Sequence, residues 1–215
     1  MNDLPPPPFK AALDHQIDAL LQRGYPQAAG ETEAEFLEHL KPLKTRVPEL
    51  AQHALNLRQG RLPFVVVVKS QLVPIAAAIA RVEPMRLRAF ANLDPRQPPD
   101  FSPIATVKLP PGMAYLLVDV DRGDAYRNLA PREALEAITR ADRSPLTIEE
   151  GIATLTQFPD FIQKNRCFSL LASRCGDKRV PALWLSEGRV KLGWCWAGNP
   201  HTWLGSASCA RRMPA

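Results

Sequence analysis

The hydrophobic pattern of this chain changes at residue 63, and that change limits the possible fold more than any other feature. Between residues 9 and 60, apolar residues recur at helical spacing, and Thr32 with Glu35 forms a Thr-x-x-Glu capping box. Phe64 to Val68 is a run of five apolar residues, which predicts a strand buried on both faces. We therefore expect an α+β fold, in which a helical N-terminal layer packs on a mixed or antiparallel sheet.

The proline distribution sets the next boundaries. Six of the 22 prolines lie between residues 94 and 111. Because proline donates no amide hydrogen bond, this stretch is predicted to be a loop with one edge pairing around residues 105–108. A strand is predicted at residues 114–120, and helices are predicted to begin at Pro131 and after Thr147.

The C-terminal part is predicted to be all β. Short turns separate four apolar runs, which cover residues 167–173, 179–186, 189–196 and 202–209. Because short turns favour antiparallel neighbours, these runs predict a β-meander, and it contains all four tryptophans of the chain.

The length of 215 residues is typical of one domain. We expect a flexible proline-rich arm at residues 1–8 and a single α+β domain at residues 9–215. Within that domain, residues 9–62 are expected to form the helical layer, and residues 63–215 the sheet with its remaining helices.

Features of export or membrane insertion are missing from the sequence. Residues 1–10 contain an aspartate and four prolines where an export signal has basic residues and an apolar core. The longest aliphatic run, Ile75 to Ala80, has six residues, whereas a membrane helix needs about 20. We therefore predict a cytoplasmic protein that has no membrane partner and whose four cysteines are reduced thiols.

Positive charge is concentrated at the C-terminal end of the chain. Residues 173–215 carry seven Lys and Arg against two Asp and Glu, which accounts for the whole net charge of +5. A segment that is both basic and rich in tryptophan is typical of a surface that binds an anionic or aromatic ligand, and nucleic acid is one possible partner.

The candidate ligand-binding residues lie on the predicted meander and its turns. They are Arg174, Asp177, Trp194, Trp196, Asn199, His201 and Trp203. Trp194 and Trp196 are two residues apart, so their side chains are expected on one face, where they could stack against a ring. The alternative is that both indoles face the core. The leading interpretation is therefore a binding or interaction protein without chemistry of its own.

Four stretches of the sequence resemble a known family. They are FKAALDHQIDALLQRGYP at 9–26, SPLTIEEG at 144–151, SRCGDKRVPALWLSEG at 173–188 and GWCWAGNPHTWLGSASC at 193–209. The chain resembles a family of uncharacterised, mostly actinobacterial proteins whose domain has no known function. This resemblance implies one full-length unit and assigns no catalytic residues.

The alternative function is that of a small hydrolase or transferase. Asp119 and Asp121 follow an apolar run in an Asp-x-Asp pattern, which is similar to the first motif of aspartate-nucleophile phosphatases. His201 could instead act as a base beside a cysteine. The competing interpretation of the aspartates is a turn in which they bind their own backbone.

A zinc site is the remaining possibility at the C-terminal end. Cys175, Cys195, His201 and Cys209 would be an acceptable tetrahedral ligand set. Their spacings of 20, 6 and 8 residues include no C-x-x-C pair, which structural zinc sites usually contain. We therefore predict no metal and no cofactor, and we expect the cysteines to pack as small apolar side chains.

Overall fold

A computed structural model of the chain describes residues 9–51, 59–83 and 87–215. The α-helices are α1 (Phe9–Gln22), α2 (Tyr25–Ala29), α3 (Glu33–Leu40), α4 (Val47–Ala51), α5 (Ile75–Ile79), α6 (Pro131–Arg140) and α7 (Ile148–Gln157). The strands are β1 (Arg61–Val68), β2 (Phe90–Ala91), β3 (Ser102–Pro103), β4 (Ala114–Asp121), β5 (Ser144–Pro145), β6 (Cys167–Ser169), β7 (Ser173–Arg174), β8 (Arg179–Ser186), β9 (Arg189–Trp196), β10 (Leu204–Ser206), β11 (Ser208–Cys209) and β12 (Arg211–Pro214). The predicted arm at 1–8 and part of the predicted helical region, residues 52–58, lie outside the described residues.

The α+β class is confirmed, because helices form the N-terminal region and sheets follow it. Helix α3 begins with the predicted capping box, in which Thr32 and Glu35 bind each other's main-chain N–H groups. Helix α7 begins in the same way, with Thr147 and Glu150. None of the helices in the described part of the chain is long and apolar enough to cross a membrane.

Strand β4 lies at the centre of a five-stranded sheet, which we call the valine sheet. It pairs in antiparallel fashion with β1 along one edge and with β11 and β12 along the other, and β5 pairs with β11. The five residues Phe64–Val68 of β1 are all buried, as their apolar run predicts. The last two strands of the chain therefore complete a sheet that begins at residue 61.

A glutamine side chain covers the free edge of β1. Gln16 in α1 is buried; its Nε2 donates a hydrogen bond to the carbonyl of Phe64 (3.2 Å), and its Oε1 accepts one from the N–H of Val66 (2.8 Å). The amide group thus makes the two bonds that another strand would make, and it fixes α1 against the sheet.

Replacing Gln16 by leucine is expected to lower the free energy of unfolding by about 1–3 kcal/mol, because the Phe64 carbonyl and the Val66 N–H become buried and unsatisfied. Urea unfolding followed by circular dichroism measures this loss. Gln22, which is exposed at the end of α1 and forms no hydrogen bond to β1 among the described residues, is the control. A Gln16→Leu variant as stable as Gln22→Leu would contradict the edge-covering role.

The second five-stranded sheet, which we call the tryptophan sheet, has the strand order β10-β6-β8-β9-β2. Strands β6, β8 and β9 are antiparallel neighbours, as the meander predicts, whereas β10 pairs in parallel with β6. The reason is the segment that follows β9. Its Ala197 and His201 carbonyls accept hydrogen bonds from the N–H groups of Arg132 (3.1 Å) and Asn128 (2.9 Å), so the chain crosses to the far edge.

The proline-rich stretch at 94–111 is a loop, but its edge pairing differs from the prediction. Ser102 and Pro103 (β3) pair with β7, whereas residues 105–108 form no strand. The N–H of Val107 donates to the Ile104 carbonyl at 2.9 Å, which closes a turn over these residues. The two-residue strand β2 precedes this loop and pairs in parallel with β9.

Helix α7 joins the two sheets. It is buried along most of its length and contacts both β1 and β8. Gly151 makes this close packing possible, since a Cβ atom there would lie 2.4 Å from Leu170 Cδ2 and 3.0 Å from Leu183 Cδ1. One core cluster contains residues from Phe9 to Met213. The single domain at residues 9–215 stays a prediction.

Candidate ligand-binding groove on the tryptophan sheet

The hairpin of β8 and β9 separates the four tryptophans into two pairs. Trp194 lies opposite Pro181 and Trp196 opposite Arg179, whereas Trp184 lies opposite Lys191. Because side chains alternate along a strand, Trp184 is on the other face of the sheet from Trp194 and Trp196. We call the two sides the α7 face, toward which Leu183 points, and the α6 face, on which Val180 packs against helix α6.

On the α7 face, the protein's own arginine covers the indole pair. The rings of Trp194 and Trp196 meet edge to face with centroids 4.7 Å apart. The guanidinium carbon of Arg179 lies 4.6 Å from the Trp194 centroid and 5.2 Å from the Trp196 centroid. The Trp194 Nε1–H donates to the carbonyl of Asp94 at 2.9 Å. This pair is therefore neither buried core nor an open stacking platform.

Asp177 holds that arginine in place. Its carboxylate accepts hydrogen bonds from the main-chain N–H of Arg179 (2.8 Å), from the Arg179 guanidinium and from Arg96 Nη2 (3.1 Å). The pKa of Asp177 lies well below its ordinary value, mainly because its carboxylate accepts the hydrogen bond from the N–H of Arg179. The aspartate is thus a fixed anion that neutralises arginines, and a ligand would have to displace these contacts.

The α6 face carries the other two indoles. The Trp184 ring lies directly over Gly193, where an added Cβ atom would come within 2.1 Å of the ring. Trp203 meets Trp184 edge to face at 6.2 Å, and the His201 ring lies 5.2 Å from the Trp203 ring. The absence of a side chain at Gly193 therefore lets Trp184 lie flat against the sheet.

The Trp184 and Trp203 rings form the wall of a groove of about 340 Å³, which we call the indole groove. It is lined by Lys164, Asn165, Cys167, Trp184, Leu185 and Trp203. The ammonium group of Lys191 lies 5.3 Å from the centre of the Trp184 ring. No lining residue is acidic, and within the described ranges neither lysine forms an ion pair. The indole groove therefore combines aromatic surface with positive charge that forms no ion pair with a described carboxylate.

The structure does not bring all seven predicted ligand residues together. Asp177, Trp194 and Trp196 meet on the α7 face, whereas His201 and Trp203 meet at the indole groove. The remaining two lie elsewhere, with Asn199 exposed in the turn after β9 and Arg174 in the small sheet of β3 and β7.

His201 has a buried Nε2 atom without a hydrogen-bond partner among the described residues. Sequence reasoning missed Trp184, Lys191 and Lys164 as neighbours of Trp203. The alternation along β8 and β9 could have placed the first two on one face. Nothing local to Lys164, which is nearly 40 residues before Trp203, indicates that the two lie together.

The basic C-terminal segment does not form one charged surface. Arg212 pairs with Glu150 at 2.5 Å, Arg179 pairs with Asp177, and Arg211 lies 3.8 Å from Glu49. The excess of positive charge along the sequence is therefore divided between the two sheets, and carboxylates elsewhere in the fold neutralise part of it.

The Asp-x-Asp pattern forms ion pairs with arginines. Arg61 donates to Asp121 at 2.9 Å and to Asp119 at 3.0 Å, and Arg143 donates to Asp119 at 2.7 Å. Asp121 also accepts a hydrogen bond from the N–H of Gly123 (2.8 Å), as the turn interpretation predicts. Guanidinium groups thus occupy both carboxylates, and this geometry gives no support to a phosphatase-like nucleophile.

The four candidate zinc ligands are spread over the fold. Cys195 lies in β9 of the tryptophan sheet, Cys209 lies in β11 of the valine sheet, and Cys175 donates to Asp177 at 3.2 Å. Within the described ranges, no three His, Cys, Asp or Glu side chains are grouped so that they could hold a metal ion. Burial raises the pKa of Cys195 to about 11 and that of Cys209 to about 12, which disfavours a reactive thiolate at neutral pH.

Comparison with known proteins gives a family without a function. No curated protein and no solved structure matches the chain. A family of unknown function, DUF5701, matches residues 19–215. The match extends from α1 to the last strand, as the resemblance implies, while the mostly actinobacterial distribution stays a prediction. The chain therefore belongs to the DUF5701 family.

Proposed function

We propose that the protein binds a planar, anionic small molecule in the indole groove. The observation that carries the proposal is the combination of two indole rings with Lys164 and Lys191 and no acidic lining residue. Such a site suits a ligand that has an aromatic ring and a phosphate or carboxylate group. The proposal is one of binding in the predicted cytoplasmic location, and it includes no reaction.

The physical basis is stacking together with charge attraction. Stacking a ring on an aromatic side chain contributes about 1–3 kcal/mol, and a nearby ammonium group attracts both the ring and the anionic group. The groove volume of about 340 Å³ lies in the range of small-molecule sites. On the α7 face, by contrast, a ligand would first have to displace Arg179 from the indole rings.

Adenosine monophosphate is a suitable probe, because it carries both a flat base and a phosphate. The chain has four tryptophans, so ¹H–¹⁵N spectra contain four indole N–H signals, which single Trp→Phe variants assign. Titration is expected to shift the signals of Trp184 and Trp203 in a saturable manner and to leave those of Trp194 and Trp196 unchanged. Shifts confined to Trp194 and Trp196, or no shifts at millimolar probe, would contradict the proposal.

Charge variants test the role of the two lysines. Lys164→Ala and Lys191→Ala are each expected to weaken binding about three- to tenfold. Lys108→Ala, at an exposed position in the proline-rich loop, is the matched control and is expected to leave affinity unchanged. Equal affinity in all three variants would show that Lys164 and Lys191 do not contribute to binding.

Titration with a short thymidine oligonucleotide distinguishes binding of a small ligand from binding of nucleic acid. Phosphate contacts along a strand release counterions, so oligonucleotide affinity would fall steeply with salt. An oligonucleotide that binds at the same two indoles much more tightly than the mononucleotide would replace our proposal by single-strand binding.

A further inference from the structure

A second groove, of about 320 Å³, lies beside the C-terminal ends of α1 and α5. It is lined by Gln22, Arg23, Ala80, Arg81, Glu83 and Arg88. The helices bring residues from two separate parts of the sequence to this groove, so no local sequence motif predicts it. We call it the arginine groove.

Hydrogen bonds to main-chain carbonyls fix two of its arginines. Arg23 Nη1 donates to the carbonyl of Arg81 at 3.1 Å. Arg81 Nε donates to the Gly24 carbonyl at 3.0 Å, and its Nη1 donates to the Ala77 carbonyl at 2.9 Å. These bonds use three of the ten N–H donors that two guanidinium groups carry. Both guanidiniums are therefore held in position while most of their donors remain available.

The charge of this pair is not neutralised within the described part of the chain. The groove contains one carboxylate, that of Glu83, and it pairs with Arg88 at 3.2 Å. Neither Arg23 nor Arg81 forms an ion pair with any described carboxylate, although both are half-buried. One of the three carbonyl bonds, that to Ala77, caps the last turn of α5. The bonds leave two units of positive charge in a groove with room for a ligand.

We propose that the arginine groove is a second binding site, which takes the phosphoryl group of a small phosphate ester. Guanidinium groups are planar donors that match the oxygens of phosphate, and Arg23 and Arg81 both line this groove. The groove is large enough for the organic part of such an ester as well as for its phosphate. This site involves α1 and α5, whereas the indole groove lies on strands of the tryptophan sheet, so the inference does not rest on the proposed function.

Calorimetric titration at constant ionic strength tests this inference with two probes, glycerol 3-phosphate and inorganic phosphate. Binding of glycerol 3-phosphate is expected, with inorganic phosphate bound equally or more weakly. Arg23→Gln is expected to weaken binding about tenfold or more, and Arg23→Lys to weaken it nearly as much, because lysine keeps the charge but loses the planar fork. Arg132→Gln, at an exposed position in α6, is the matched control.

Thermal unfolding of each variant shows that it is folded before its affinity is compared, and Arg81→Gln provides a second variant if Arg23→Gln is unstable. The indole signals of Trp184 and Trp203 are expected to stay unchanged during the titration, which distinguishes this site from the indole groove. Unchanged affinity in Arg23→Gln and Arg81→Gln, or no binding of either probe at millimolar concentration, would overturn the inference.

Discussion

Replacing Glu150 by alanine is expected to lower the free energy of unfolding by about 3–5 kcal/mol. Glu150 is fully buried and accepts hydrogen bonds from the Tyr115 hydroxyl (2.7 Å) and from Arg212 Nε (2.5 Å) and Nη2 (2.8 Å). The Arg212 side chain is only 6% exposed, so the variant leaves a buried guanidinium without its carboxylate. Urea unfolding followed by tryptophan fluorescence measures the loss.

Two further variants show whether the unpaired, buried charge of Arg212 causes the loss of stability. Adding Arg212→Met to Glu150→Ala is expected to recover part of the lost stability, because the unpaired charge is removed as well. Glu49→Ala is the matched control, since its carboxylate is 41% exposed beside Arg211 and surface ion pairs contribute little. The role of the buried pair would be refuted if Glu150→Ala cost no more than Glu49→Ala.

The helices could be predicted because their signals are local. Each capping box, at Thr32 with Glu35 and at Thr147 with Glu150, lies within four consecutive residues and forms in the structure as the sequence predicts. Helix α6 likewise begins at Pro131, whose missing N–H costs nothing in the first turn. By contrast, α2 has only five residues, which is too short for a recognisable hydrophobic period.

Strand order could not be predicted, because it depends on contacts between distant residues. The crossing from β9 to β10 depends on Asn128 and Arg132, which lie about 70 residues before it. The assignment of β11 and β12 to the valine sheet depends on pairing with β4, about 90 residues earlier. Turn lengths carry no information on either contact.

The candidate site could be predicted only in part for the same reason. Composition draws attention to the tryptophan-rich segment, but a single interval of two residues, from Trp194 to Trp196, does not show that Arg179 covers both rings. The turn at Asp121 and Gly123 is local, so the sequence could predict it. The pairing of Asp119 with Arg61 could not be predicted, because the two residues are 58 positions apart in the sequence.

Replacing Gly123 by alanine is expected to lower the free energy of unfolding by about 3–5 kcal/mol. Gly123 has a φ of 77°, and an added Cβ atom would lie 1.9 Å from the carbonyl oxygen of Ser206 in β10. Because that atom belongs to the backbone, the whole strand has to move. Trp203 directly precedes β10, so the indole signals of Trp203 and of its neighbour Trp184 are expected to shift together with the loss in urea stability.

Gly176 supplies a control that separates steric overlap from backbone strain. Its φ of 81° is as unfavourable for alanine, but an added Cβ atom there would meet no atom within 4 Å. Gly176→Ala is therefore expected to cost only the strain of a left-handed alanine, about 1–2 kcal/mol, without moving the Trp203 signal. The difference between the two variants then measures the overlap with β10. Equal losses in the free energy of unfolding would mean that β10 moves at little cost. The close approach at Gly123 would then not hold Trp203 in the wall of the indole groove.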